Sequence, residues 1–237
     1  SINDLSSGKS TELSDNSIRL FKTIVLVINA IDNRLEVRGR DSFGLSLLLS
    51  SHEFDRSLVL ENRDDASQVG IRFDDQNNVP TITFVFKTSN MIGSLGDNAQ
   101  IIRQLLKESD CFKKVVESDY IEFASVVAHT RWASVGDVNL PNTLPIAVDS
   151  YSCDGRQSTI ISALNGDVLN FNEILKSALV AEQKGIINCQ CTSDGIAVPA
   201  FLSSFSEFSS EQFNQMPSKL SGSFVTTVQH TDYPTAI

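Results

Sequence analysis

Phe123-Ala124-Ser125-Val126-Val127-Ala128-His129-Thr130-Arg131-Trp132-Ala133-Ser134-Val135-Gly136 passes from an apolar, β-branched run straight into an arginine and the single tryptophan of the chain. The run predicts a strand over Phe123–Val127. An arginine at a strand end presents a planar fork that matches a carboxylate, and the neighbouring indole can cover it. The same residues would also serve as a surface ion pair beside a core tryptophan. The segment by itself leaves both readings open, and the rest of the chain has to decide between them.

Upstream, Ile18, Phe21, Val25, Ile28, Ile31 and Leu35 recur at three- and four-residue steps, which predicts one amphipathic helix with Asp15 or Ser17 as its N-cap. Residues 1–17 are polar and read as an arm. Leu45–Leu49, Leu58–Leu60, Val69–Phe73 and Thr81–Phe86 are short apolar runs that read as strands. Asp74-Asp75-Gln76-Asn77-Asn78 forms the turn ahead of Val79-Pro80. A helix capped by Asp97 is expected over Asn98–Leu106. Downstream, strands are expected at Ser158–Leu164 and Ser223–Val228, and helices at Asn172–Gln183 and Gly195–Phe205. Helices and strands come in groups, which is the pattern of a layered α+β domain, here spanning residues 18–237.

Composition narrows the functional classes. The 237 residues are 41% hydrophobic and 20% charged, with 12 Gly and 6 Pro, which excludes a disordered or fibrous chain. The formal net charge of -10 repels phosphate backbones and anionic lipid, so neither nucleic acid nor membrane is an expected partner. The longest apolar stretch, Ile24–Ile28, is five residues, far below the roughly 18 needed for a span. Ser1-Ile2-Asn3-Asp4-Leu5 has neither the basic nor the apolar region of a secretory signal. Cys111, Cys153, Cys189 and Cys191 show no CxxC spacing, so a reducing, cytoplasmic setting is expected.

Two further segments carry unusual residues. Arg38-Gly39-Arg40-Asp41-Ser42-Phe43-Gly44 reads as a structural corner, its glycines allowing tight turns and its charges pairing locally. In Ala163-Leu164-Asn165-Gly166-Asp167-Val168, Asn-Gly between apolar runs is a type I′ hairpin signal. It can equally supply a side-chain amide and a backbone N–H as an oxyanion hole, the pair of donors that acyl transfer requires. No metal site is expected. Arg56 stands where the second histidine of an HExxH motif after His52-Glu53 would be, and His129 and His230 lack ligand spacing. Cys189-x-Cys191 reads as a strand or loop feature, and Gly93-Ser94-Leu95-Gly96 as a helix start without the glycines of a phosphate loop.

Taken in order, these segments resemble the class II glutamine amidotransferases, most closely the glutaminase halves of the glucosamine-6-phosphate synthases. Arg34–Gly44 is similar to that family's RLEYRGYDSAG, His129–Gly136 to its HTRWATHG, and Asn165–Asn170 to its NGIIEN. Ser193-Asp194 matches its acidic pair ahead of a helix. The resemblance runs from about Ile18 to Val228. It implies the N-terminal nucleophile fold, a four-layer αββα sandwich, with incompleteness at both ends left open. It also implies hydrolysis of L-glutamine to glutamate and ammonia without a cofactor. By the same carry-over, Arg131 would clamp the glutamine α-carboxylate and Asp194 its α-amino group. Trp132 and Ser134 would line the pocket, and Asn165 and Gly166 would stabilise the oxyanion. The ammonia would pass to an acceptor, expected to be a sugar phosphate such as fructose 6-phosphate, on a sugar-isomerase-type synthase domain in a homo-oligomer.

The chain departs from the family in three places. The family attacks with an N-terminal cysteine, whereas this sequence opens on Ser1 and has no cysteine before Cys111. Val135 stands where the family has the histidine of HTRWATHG. The sequence also stops at Ile237, soon after Leu220-Ser221-Gly222-Ser223-Phe224-Val225, which is similar to the family's LRGAYG strand. The expected reading is a glutaminase domain belonging to a larger amidotransferase. The alternative is a catalytically inactive relative that binds glutamine or scaffolds an assembly.

Overall fold

The computed structural model describes residues 13–60, 68–76, 79–89, 94–118, 120–151, 156–181, 190–205 and 210–235. Ser1 and most of the polar arm, Asn77, Asn78, Gly93, Cys153, Gln183 and Cys189 lie outside these. The chain is an α+β structure with two antiparallel sheets. In the first sheet, β1 (Ser42–Ser50) lies between β3 (Thr81–Thr88) and β4 (Phe123–Arg131), and β2 (Val69–Asp74) flanks β3, giving the order β2-β3-β1-β4. The second has the order β5 (Ile146–Tyr151), β6 (Gln157–Val168), β7 (Gly222–His230).

Every residue of β1 is buried, yet its two faces differ in chemistry. Phe43, Leu45, Leu47 and Leu49 point to one side, as period-2 alternation requires. There they meet Leu20, Phe21, Ile24 and Ile28 of α1 (Asp15–Ala30), Ile102 and Leu106 of α3 (Asp97–Glu108), and Phe112 and Val116 of α4 (Asp110–Glu117). Phe112 is the hub, with Phe21, Phe84 and Phe86 edge-on to it at 6.0, 5.6 and 5.9 Å between ring centroids. The opposite face carries Ser42, Gly44, Ser46, Leu48 and Ser50 and looks toward the second sheet. Ser46 Oγ donates to Gln229 Oε1 at 2.7 Å, and Gln229 Nε2 donates to both the carbonyl and the hydroxyl of Ser125 at 3.0 Å. On the far side of the second sheet, Ile160, Leu164 and Val168 pack against α6 (Ala197–Ser203) and Met216 of α7 (Ser210–Lys219). Ile146 and Val148 meet Ala178 of α5 (Phe171–Ala181). The layers therefore run helices, sheet, sheet, helices.

Several elements differ from the sequence reading. The first helix starts at Asp15, capped by Ser14, whose Oγ accepts from Ser17 N at 3.2 Å; neither expected residue is the cap. It ends at Ala30 and continues as a wider turn over Ile31–Leu35 and a tight one over Glu36–Arg38, so the periodicity to Leu35 outlasts the regular helix. Leu58–Leu60 is not a strand but lies in the short helix α2 (Ser57–Leu60), started by Asp55, whose carboxylate accepts Ser57 N at 2.7 Å. Gly96, and not Asp97, caps α3, at a φ of 99° that suits glycine. The sequence reading lacked α4, α7 and β5 altogether. Asn165 and Gly166 are not a hairpin turn; they lie inside β6, opposite Val225 and Phe224 of β7.

Candidate functional site

The corner segment turns out to be the frame on which the arginine segment is built. Glu36, nearly fully buried, accepts the backbone N–H groups of Gly96 and Asn98, the latter at 3.2 Å, and so holds the start of α3. Asn98 in turn donates to the Arg40 carbonyl at 2.9 Å. Asp41 Oδ2 accepts Ala133 N at 2.7 Å, tying the corner to the loop after β4. Gly39 permits the approach: a Cβ there would lie 2.7 Å from the Thr130 carbonyl carbon. Ser42 pairs with Arg131 in the β1–β4 ladder, so this corner fixes where Arg131 emerges.

Arg131 is only 5% exposed and ends β4. Its guanidinium turns back on its own loop, with Nη1 donating to Asp137 O at 3.2 Å and Nη2 to Val135 O. These bonds use two of five donors, leaving Nε–H and one N–H on each Nη for another acceptor. Burial lowers its pKa, an effect opposed by the nearby Cys191 thiol and the Asp194 and Asp41 carboxylates. Asp194, also 5% exposed, opens the tight turn Asp194–Ile196 that leads into α6. Its Oδ2 accepts Val168 N at 2.8 Å and its Oδ1 accepts from Ser193 Oγ at 3.3 Å. An acid is thereby locked to the end of β6 within electrostatic reach of the arginine.

The end of β6 brings in the amide–glycine pair. Ser134 Oγ donates to Asp167 Oδ1 at 3.2 Å, joining the loop after Arg131 to a residue next to Gly166 and two beyond Asn165. Asn165, Gly166 and Asp167 are all exposed, and the Asn165 side chain has no hydrogen-bond partner among the described residues. Gly166 has φ of 119°, and a Cβ on it would fall 2.1 Å from Ser223 O, so this close pass of β6 along β7 admits glycine alone. Trp132 is 73% exposed beside Arg131. It is therefore neither a core residue nor a cover over the guanidinium.

The six residues singled out in the sequence thus collect at one end of the two sheets: Arg131, Trp132 and Ser134 from β4 and its loop, Asn165 and Gly166 from β6, Asp194 from the turn before α6. One organising residue escaped the sequence reading. Asn142, fully buried, donates through Nδ2 to Asp137 O at 2.8 Å and to Thr192 Oγ1 at 2.9 Å. Its Oδ1 accepts Thr192 N at 2.7 Å and Ser193 N at 3.1 Å. It binds the carbonyl that Arg131 uses to the segment that carries Asp194. A lone asparagine after Leu140-Pro141 gives no signal of this in sequence, because all four partners are remote along the chain or belong to the backbone.

His129, on the inter-sheet face, donates to the Leu164 carbonyl of β6, while its Nδ1 has no partner. Burial, with Arg131 adding to it, pushes its pKa down to about 4, so the ring is neutral near pH 7. Of the described cysteines, Cys111 is in the helix-side core and Cys191 is buried with its thiol toward Ser193 O at 3.8 Å. Among the described residues no group of three or more metal-ligating side chains comes together.

No family model and no curated protein sequence matches the chain. Among solved structures it is similar to the glutamine phosphoribosylpyrophosphate amidotransferase of B. subtilis, complexed with ADP and GMP. The TM-score is 0.37 and the identity 17%, over 78% of this chain and 35% of that one. The chain thus spans about a third of that protein's length, and a likeness of this size carries no weight for fold or activity. Among the described residues no helix is long and apolar enough to cross a membrane.

Proposed function

We propose that this chain is a glutaminase-type domain of the class II amidotransferases, an N-terminal nucleophile sandwich that binds L-glutamine and hydrolyses it to glutamate and ammonia. The observation that carries the reading is the convergence of a buried arginine, a buried aspartate and an exposed amide–glycine pair at one end of the two sheets. Free glutamine is a zwitterion with a carboxamide tail. It needs a cation for its carboxylate, an anion for its ammonium, and donors where negative charge develops on the amide oxygen.

In this reading the three spare donors of Arg131 hold the α-carboxylate, a contact for which a guanidinium is better shaped than an ammonium. Asp194 takes the α-amino group, oriented by its bonds from Val168 N and Ser193 Oγ. The Asn165 amide and the Gly166 N–H stabilise the tetrahedral oxyanion, with Trp132 and Ser134 beside the substrate. The ammonia goes to an acceptor on a sugar-isomerase-type synthase domain, a sugar phosphate such as fructose 6-phosphate, in a cytoplasmic homo-oligomer.

Calorimetric titration with L-glutamine, using D-glutamine as control, tests the clamp. Arg131→Ala should weaken binding about 10–100-fold, as expected when a charge-assisted pair is lost. Unchanged affinity in that variant ends the assignment. The second reading, a silent glutamine-binding module, is favoured by Val135 in place of the family's histidine. Binding of L-glutamine without any release of glutamate selects it.

A further inference from the structure

Toward the β2 edge of the first sheet, the space between the sheets opens into a cavity of about 430 Å³, walled by β2 and β3 on one side and β5 on the other. That is the size of a small-molecule site. Its polar groups are unevenly matched. Arg72 of β2 is paired across the sheets with Asp149 of β5, Nε to Oδ1 at 2.7 Å. Lys87 of β3 reaches in from the position opposite Gly44, and its ammonium has one contact, a long 3.5 Å bond to the Leu140 carbonyl. No carboxylate forms an ion pair with it among the described residues. Two cations and one acid leave an excess of one positive charge, with Val85, Leu140, Pro141 and Ala147 providing the apolar part of the lining around it.

A half-buried ammonium with one weak acceptor is a costly arrangement, which a bound anion would relieve. The anion should carry a single charge, since one cation is uncompensated. It should have an apolar body, to match the apolar part of the lining. We propose that this cavity is a second ligand site that binds a small organic carboxylate, its carboxylate on Lys87 Nζ and its hydrocarbon body against Val85, Leu140, Pro141 and Ala147.

The groups facing Lys87 are Arg72, Asp149 and the Cys191 thiol. Burial lowers the Lys87 pKa to about 8, with Arg72 adding to the shift and Cys191 opposing it. Carboxylate affinity should therefore fall as pH rises past 8, by up to about tenfold per unit.

The test uses the full chain and 3-methylbutanoate as probe, by calorimetry and by competitive acetylation of lysines read by peptide mass spectrometry. The expected results are saturable binding, several-fold slower acetylation of Lys87 with the probe present, and at least about tenfold weaker binding in Lys87→Met. Absence of binding together with unprotected Lys87 overturns the proposal, and that experiment needs only the wild-type chain. Protection by inorganic phosphate but not by 3-methylbutanoate overturns it too, in favour of a phosphate site. L-Glutamine binding is measured alongside: if it persists while 3-methylbutanoate fails, only the second site falls.

Discussion

The two faces of β1 make an instructive contrast. Toward the helices it shows Phe43, Leu45, Leu47 and Leu49 in a dry cluster of rings and branched chains. Toward the second sheet it shows Ser42, Gly44, Ser46, Leu48 and Ser50, and what crosses the gap is hydrogen bonds: Ser46 and Ser125 through Gln229, His129 to Leu164, Arg72 to Asp149. The outer layers hold the molecule together by burial. The inner gap is polar, incompletely satisfied and partly hollow, and both proposed ligand sites border it. Among the described residues the hydroxyls of Ser42, Thr81 and Thr83 and the Nδ1 of His129 are buried there without partners. An apolar core stabilises but offers a ligand nothing to recognise, whereas unsatisfied polar atoms do the reverse.

The contrast can be broken most forcefully on the outer side. Phe112→Ala removes the ring that Phe21, Phe84 and Phe86 all meet, and should destabilise by about 3–5 kcal/mol in denaturant unfolding. A loss under about 1 kcal/mol would mean that the helix-side cluster is not the main source of stability.

The inner side responds to acid. His129 and His230 are both held near pKa 4 by burial, against an ordinary 6.5, so the folded chain refuses protons that the unfolded chain takes. Stability should fall as pH drops from about 6.5 to 4, by roughly 2–3 kcal/mol for each ring, and be unaffected by these groups above 7. Asp74, whose pKa burial raises, works in the opposite direction, so the contribution of His129 is read by difference from His129→Gln, whose profile should be flatter. Equal profiles would place His129 in water.

Gln229→Leu keeps volume but strips Ser46 and Ser125 of their partner, with an expected cost of about 1–3 kcal/mol. If Gln229→Leu were neutral or stabilising, the inter-sheet hydrogen bonds would be matters of specificity and not of stability. The smallest change is expected outside both faces. Arg56→Gln breaks the exposed pair with Asp75, 3.0 Å in length, and should move the melting midpoint by no more than about 0.5 kcal/mol allows.

How much could be read in advance depended on how far each signal reaches along the chain. Ile18, Phe21, Val25 and Ile28 declared the first helix because helical period is local. β1, β3 and β4 declared themselves as apolar runs for the same reason. Leu58–Leu60 misled, since three apolar residues carry no period and the Asp55 side chain decided for a helical turn. Between Ile146 and Tyr151 only Ile146 and Val148 mark the buried face, too few to stand out. In α7 only Met216 is buried and Pro217 sits inside the helix, so the apolar stripe is nearly absent.

By itself, then, the sequence determined the α+β character, the charge balance that disfavours polyanions, and the identity of the six candidate residues, because residue type and short-range period are properties of the chain. Tertiary structure decided that Arg131 folds onto Val135 and Asp137, that Asn142 joins its loop to Asp194, and that Lys87 ends in a cavity where no carboxylate among the described residues pairs with it. Those outcomes rest on contacts between residues tens of positions apart, whose geometry exists only once two sheets have closed over a polar gap.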